Sequence, residues 1–343
     1  MRRRIAVLGV GAIGSSVGAD LVDAGEDVLL VDQWPAHVDA MRAGGLRVVM
    51  PDRELRVGVR ALHLCDLARE RPVFDIVFLA TKSYDTTWAC HLIAPFLAEE
   101  AVLVGLQNGM NDDTIASIVG RSRTVASVVE LSAEIYEPAI VQRDTTRAGT
   151  WFGLGELDGA MTGRVEEVAD LLRHSAKVSV TGNILGAKWT KLVTNSMTMG
   201  PFSLFGLKNW EAAALPGMME ISLGIGRESA AVGAALGHRL EPIFGLSAED
   251  FAGSDDQVLI TAMRTLHRHV GKESTTATVQ DQLKGRRTEL EHITGTVVRK
   301  GREVGLPTPI NDAVLDLGRQ IGAGTRDMGP SNLDVLKSMV GGR

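Results

Sequence analysis

Apolar residues follow two rhythms along this chain, and the change between them falls near Gly182. Upstream, short unbroken apolar runs stand between glycine-rich or polar breaks: Arg4 to Leu8, the EDVLLVD that ends on Asp32, Phe74 to Ala80, and the AVLVG leading to Gln107. Runs of that length, rich in Val, Leu and Ile, predict buried strands. The segments between them carry helical spacing, as in SSVGADLVDAG, which stops at Gly25. Strands alternating with helices predict a mostly parallel sheet in an α/β fold. Downstream, GAKWTKLVTNSMT, PGMMEISLGIGRESAAVGAALG and QDQLKGRRTELEHITGTVVRKGREVG all show apolar residues at helical spacing, and β-type runs cease. PTPIND then restarts a helix with Asn311 or Asp312 near its start. Two domains are expected, an α/β domain over 1–182 and a mostly α-helical domain over 183–343, with a cleft between them.

The first strand leads into Gly9, Val10, Gly11, Ala12, Ile13 and Gly14, a G-x-G-x-x-G turn followed by a helix and a second strand within about 30 residues. In that context each glycine has a job: Gly9 permits the tight turn, Gly11 lets backbone approach a pyrophosphate, and Gly14 lets helix and strand pack closely. The helix N-terminus offers free N–H groups and partial positive charge to the phosphates. A Rossmann-like dinucleotide-binding domain is therefore expected. Asp32 lies 18 residues past Gly14, where a carboxylate accepts hydrogen bonds from the adenosine ribose and repels a 2′-phosphate. No Lys or Arg follows until Arg42, so NAD is expected over NADP. The other reading of Asp32 is a strand-end residue capping the next turn.

Two further strands deliver polar tips, Thr81 and Lys82 after one, Gln107, Asn108 and Gly109 after the other. Ligands of open α/β sheets bind beyond the carboxyl ends of strands, which makes these tips candidates for the cofactor crevice. In the helical half, Lys191 and Asn195 are four apart and share a helix face; Asp281 and Glu289, eight apart, are expected close to one face as well. A solvated charged stripe is the plainer account of either pair.

Composition narrows the classes. With 45% hydrophobic and 23% charged residues, the 343-residue chain reads as a globular protein large enough for two cores. A net charge of −6 argues against a nucleic-acid partner. Cys65 and Cys90 are too few for a disulfide framework or a zinc cluster, and point to reduced thiols in the cytoplasm. His267 with His269, and Glu289 with His292, lack a convincing third ligand, so no metal is expected. MRRR followed by IAVLGVGAIG imitates a signal peptide, but the glycines and the absence of a cleavage site make it a strand. No other stretch is long and apolar enough to span a bilayer, so no membrane association is expected.

GVGAIG, TKS, QNGM, the W-x-K-x-x-x-N of WTKLVTN, the QD followed by TE in QDQLKGRRTEL, and LPTPIN occur in an order and spacing that resemble the ketopantoate reductase family (2-dehydropantoate 2-reductases and their relatives). The resemblance runs nearly the whole chain. It implies a helical domain like the C-terminal one of 6-phosphogluconate dehydrogenase and an NAD(P)H-dependent reduction of a 2-keto acid at the interdomain cleft. Carried over by position, Lys191 is the general acid, and Asn195, Lys82 and Thr276 contact substrate. Asn108, Ala133, Glu289 and again Lys82 join Gly9 to Gly14 and Asp32 in holding the cofactor. A homodimer is expected from common enzyme symmetry.

Three departures from the family's pattern stand out. Met199 and Gly200 stand where a second substrate asparagine is expected, and Ala277 replaces a serine twelve residues before Glu289, flanked by Thr276 and Thr278. Asp32 stands where an NADP-preferring member has a basic or neutral residue. The first two remove polar grips on ketopantoate, so the reaction class is better supported than that substrate. A relative acting on a bulkier hydroxy acid or an imine, and a non-catalytic nucleotide sensor, remain as alternatives.

Overall fold

The computed structural model describes residues 3–243, 246, 255–270 and 274–341, of which 255 and 266–270 by backbone alone. Two units divide the chain, Met1–Ile184 and Leu185–Arg343.

In the first unit the strands are β1 (Arg4–Leu8), β2 (Asp27–Asp32), β3 (Leu46–Val49), β4 (Glu54–Val57), β5 (Arg60–His63), β6 (Phe74–Leu79), β7 (Leu97–Gly105), β8 (Thr124–Glu130), β9 (Ala133–Glu137), β10 (Ile140–Arg143), β11 (Trp151–Gly155) and β12 (Lys177–Val180). Eight of them form one sheet in the order β12-β11-β8-β7-β6-β1-β2-β5. From β5 to β8 every pairing is parallel; β11 then runs antiparallel to β8. The stretch β5-β2-β1-β6-β7-β8 is the doubly wound order, so the direction of winding reverses between β1 and β6. Successive residues of these strands enter different cores: Ile5, Val7, Leu30 and Phe78 on one side, Ala6, Leu8, Val31 and Leu79 on the other. Both faces are covered, which is why these strands read as unbroken apolar runs.

A second sheet, in the order β4-β3-β10-β9, packs against the helix Ala12–Asp23. Its only parallel pair joins β3 to β10, with Arg47 opposite Ile140. Arg143, at the end of β10, is fully buried and donates to Asp20 on that helix at 2.6 Å, to the Thr150 hydroxyl at 2.8 Å and to the Ser175 carbonyl at 2.7 Å. Arg147 and the Ser175 hydroxyl complete the shell around the Asp20 carboxylate. Removing one partner from such a buried pair costs about 3–5 kcal/mol, because it strands the other charge.

The second unit is helical: Ile184–Phe202, Asn209–Ala213, Met218–Ala235, Asp255–Val270, Ala277–Leu283, Thr294–Glu303, Pro309–Gly322 and Asn332–Gly341. Trp189 fixes the long first helix. Its indole donates to the Ser229 carbonyl at 2.9 Å, stacks on His238, and lies so close to Gly233 that a Cβ there has no room. Met197, two turns on, packs at Gly226 of the same neighbouring helix. Glu228, whose carboxyl is pushed up by burial, accepts from the Ile310 and Asn311 amides and the Asn311 side chain, and so caps the helix that LPTPIN opens. One expectation is corrected here. The stretch 280–305 is not a single helix: it ends at Leu283, turns at Gly285 with φ +64°, and resumes through the 3₁₀ turn Leu290–His292. Asp281 and Glu289 therefore share no helix face.

Candidate functional site

At the carboxyl ends of the parallel strands, backbone bonds hold the loops side by side. The Gly9 amide donates to Val31, Ala80 to Leu8 and Leu106 to Leu79. Gly9 has φ +89°, a region that disfavours side chains, and a Cβ on it would lie 2.6 Å from the Thr81 amide nitrogen. A Cβ on Gly14 would overlap the Gly9 carbonyl oxygen. Gly11 differs: a Cβ there meets nothing within 4 Å. Two glycines thus let the chain pack on itself, while the third borders open space at the start of the helix Ala12–Asp23, whose N-cap makes no side-chain hydrogen bond. Space beside free helix-start amides fits a pyrophosphate.

Asp32 ends β2, and its carboxylate is buried. One oxygen accepts from the Val10 amide, the other from the Trp34 amide at 2.8 Å. The turn-capping role and proximity to the glycine turn are therefore both real. Each carboxylate oxygen can accept a second bond, which leaves capacity for a ribose diol. Arg42, the first base after Asp32, is engaged elsewhere, with its Nε on the Ala61 carbonyl at 2.8 Å and a terminal nitrogen on Asp66 at 2.6 Å.

TKS and QNGM form one stitched corner. The Gln107 amide donates to the Thr81 carbonyl at 2.9 Å and to the Thr86 hydroxyl at 3.0 Å. The Ser83 hydroxyl and the Asn111 amide both donate to the Asn108 carbonyl, at 2.9 and 2.8 Å. Lys82 and Asn108 are half-buried at its rim. Ala133 opens β9, in the second sheet, half-buried and packed against the same core as Val10.

In the helical unit, Lys191 lies two residues beyond Trp189, about 200° around the helix and so away from the anchored face. Lys191 is half-buried, and Asn195, one turn on, is buried. The same helix meets the segment after Ser274 near its end: the Thr278 hydroxyl donates to the Met199 carbonyl at 2.7 Å, and Thr276, the N-cap of Ala277–Leu283, pairs with Thr278 at 2.9 Å. A Cβ on Gly200 would lie 2.6 Å from the Thr294 hydroxyl, so residue 200 takes no side chain unless Thr294 shifts, and of the two positions it is 199 that carries one. Glu289 is buried at the head of the 3₁₀ turn. Asn209 escaped the sequence reading. Its Nδ2 donates to the Ser274 hydroxyl at 3.0 Å, and its buried Oδ1 makes no hydrogen bond. Nothing in the pattern of KNWEAA marks it.

Among the described residues no group of three His, Cys, Asp or Glu is arranged to hold a metal ion, and no helix is long and apolar enough to cross a membrane. The side chains of His267 and His269 lie outside the described residues. Cys65 and Cys90 are free, and burial pushes the Cys90 thiol up to about 12.

The sequence family described as Ketopantoate reductase PanE/ApbA matches residues 5–156, and its C-terminal counterpart matches 183–322. A 2-dehydropantoate 2-reductase of Mesorhizobium japonicum is 30% identical over 341 residues, covering 93% of this chain and 97% of its own. The chain belongs to the ketopantoate reductase family. A ketopantoate reductase structure from Ralstonia eutropha JMP134 superposes with a TM-score of 0.79 at 26% identity, over 93% of this chain and 98% of its own. D-mandelate dehydrogenase, solved with NADH and anilino(oxo)acetate, shares the fold at 22% identity and a TM-score of 0.82, over 93% and 98% of the two chains. The motifs that carry the ketopantoate reductase resemblance divide in the structure. Gly9, Gly14, Gln107, Trp189 and Asn311 build backbone and core, whereas Gly11, Lys82, Asn108 and Lys191 border space or solvent.

Proposed function

We propose that the protein is an NAD(P)H-dependent reductase of a 2-keto acid, similar in reaction to the 2-dehydropantoate 2-reductases. The observation that carries this reading is the match to one of those reductases over almost the full length of both chains. Residues 1–182 hold the dinucleotide and residues 183–343 the substrate and a homodimer contact. The open space at Gly11 and the acceptor capacity of Asp32 fit NADH, with Lys82, Asn108, Ala133 and Glu289 as further cofactor contacts. When bound there, the nicotinamide would supply the hydride for the carbonyl carbon.

This chain's own residues do the rest. Negative charge grows on the carbonyl oxygen, and the Lys191 ammonium stabilises it and gives it a proton, acting as the general acid. Asn195 and Thr276 orient the carboxylate and hydroxyl groups of the substrate by hydrogen bonds. A homodimer in the cytoplasm completes the reading, and light scattering measures its mass. A second substrate class is favoured by Met199, an apolar residue where the resemblance implies an asparagine: a bulkier, more apolar 2-keto acid than ketopantoate. The test is a panel of 2-keto acids that includes 2-dehydropantoate, followed by oxidation of NADH and NADPH in parallel. Turnover of at least one acid supports the reading; none turned over with either nucleotide sinks it.

A further inference from the structure

A buried chain of hydrogen bonds runs beneath the glycine turn. His37 is fully buried, and its Nδ1 accepts from the Ala139 amide at 2.8 Å. That bond leaves Nδ1 without a proton, so in the neutral ring Nε2 carries it. Nε2 faces the Ser15 hydroxyl at 3.3 Å, and Ser15 in turn donates to the Val10 carbonyl at 2.9 Å. On the other side of the same residue, the Val10 amide donates to Asp32. Every donor in this series points the same way, from Ala139 through His37 and Ser15 to Val10, and from Val10 to Asp32. Trp34 stacks on the His37 ring with centroids 5.3 Å apart and planes 17° from parallel, and donates its own amide to Asp32. Burial pushes the His37 imidazole below its ordinary value, in keeping with a neutral ring.

In a trans peptide the carbonyl of one residue and the amide of the next point to opposite sides. Holding the Val10 carbonyl inward on Ser15 therefore turns the Gly11 N–H outward, toward the open space beside Gly11. We propose that His37 is a positioning residue for dinucleotide binding, acting through Ser15 to fix the Val10–Gly11 peptide so that the Gly11 N–H faces the cofactor's phosphates. His37 touches no ligand itself. The inference rests on the nucleotide reading above, and it adds a part of the machinery that lies outside the G-x-G-x-x-G turn.

The test is direct titration of NADH and NADPH by fluorescence on wild type, His37→Leu, His37→Gln, Ser15→Ala and the His37→Leu/Ser15→Ala double variant. Loss of one buried hydrogen bond corresponds to about 3- to 10-fold in Kd. His37→Leu and Ser15→Ala are each expected to weaken binding by about that factor, and the double variant no more than the larger single effect, because the two act on one peptide. His37→Gln, which can accept from Ala139 and donate to Ser15, is expected to recover most of the affinity. A purely structural histidine would lower thermal stability in all variants without this pattern. Unchanged Kd in folded variants, or additive losses, overturns the inference while wild-type binding upholds the nucleotide reading. If His37→Leu fails to fold, Ser15→Ala against wild type decides alone. A wild-type protein that binds neither nucleotide overturns both.

Discussion

Gly9 and Thr81 meet across the ends of β1 and β6, so closely that a Cβ on residue 9 would press on the Thr81 backbone from 2.6 Å. This contact lies where the winding of the sheet reverses, and it separates the three glycines by what they do. Gly9→Ala and Gly14→Ala are expected to lower stability by about 1–3 kcal/mol, as overpacking does, and to lower the melting temperature accordingly. Gly11→Val is expected to keep the wild-type melting temperature and to raise the dinucleotide Kd at least tenfold. Equal effects of Gly11→Val and Gly14→Ala on folding would show that the turn is only a turn.

NADH is expected to bind more tightly than NADPH, because the Asp32 carboxylate lies beside the turn and Arg42 is committed to Ala61 and Asp66. The ratio of kcat/KM for the two nucleotides measures this. Asp32→Asn removes the charge and leaves one acceptor for the two amides of Val10 and Trp34, so it should weaken NADH binding and narrow the ratio. A wild-type preference for NADPH would mean that the ribose lies elsewhere.

Lys191→Ala is expected to leave the melting temperature and the NADH Kd near wild type and to lower kcat by about 10²–10⁴-fold, the usual yield of general acid catalysis. Lys191→Arg keeps the charge but supplies neither the proton nor the compact head, so little rescue is expected. Asn195→Ala should act chiefly on KM for the keto acid. Near-normal turnover by Lys191→Ala, once a substrate is in hand, would reduce Lys191 to a surface residue.

His37 also makes stability depend on pH. Burial lowers its proton affinity in the native state from the ordinary value of 6.5, so below that pH the unfolded chain binds more protons than the native one. The stability it confers is present above about pH 6.5 and is lost as pH falls toward the native value. Half-buried His292 is shifted the same way, so the variant His37→Gln isolates the first contribution. The melting-temperature gap between wild type and His37→Gln should shift in favour of the variant between about pH 7.5 and about pH 5.5. A constant gap would mean that the ring is not neutral when folded.

Much of the first unit could be read directly. β1, β2, β6 and β7 announce themselves because both faces are buried, and the glycine turn is marked by composition as well as position. β5, β8, β11 and β12 of the large sheet were not read out, and β3, β4, β9 and β10 of the small one escaped notice altogether. They are only four or five residues long, they alternate buried with charged positions such as Arg47, Glu54 and Arg56, and β3 finds its parallel partner far along the chain. Helical spacing found the segments of the second unit but not the break at Gly285, since Arg286 and Arg287 fit a helix by propensity as well as a loop. The face shared by Lys191 and Asn195 was legible from spacing, whereas the burial of Asn209 and the bond from its Nδ2 to Ser274, 65 positions away, have no local signature. His37 is the same kind of case, an ordinary helix residue in sequence whose partners are fixed only by tertiary structure.

The bond from Ala139 to His37 spans 102 positions, and the β3–β10 pair a similar stretch. Chains emerge from the ribosome from the N-terminus, and local pieces form before distant ones close their loops. The glycine turn, its helix and its acidic residue are thus among the first segments made, yet the support beneath them arrives only after the whole doubly wound core has been synthesised. Until then Ser15 and the imidazole have no fixed neighbour, and the helix Ala12–Asp23 has no second sheet to cover it. The turn that looks most self-contained in the sequence is completed late, and a fragment ending before residue 139 would carry the motif without its floor.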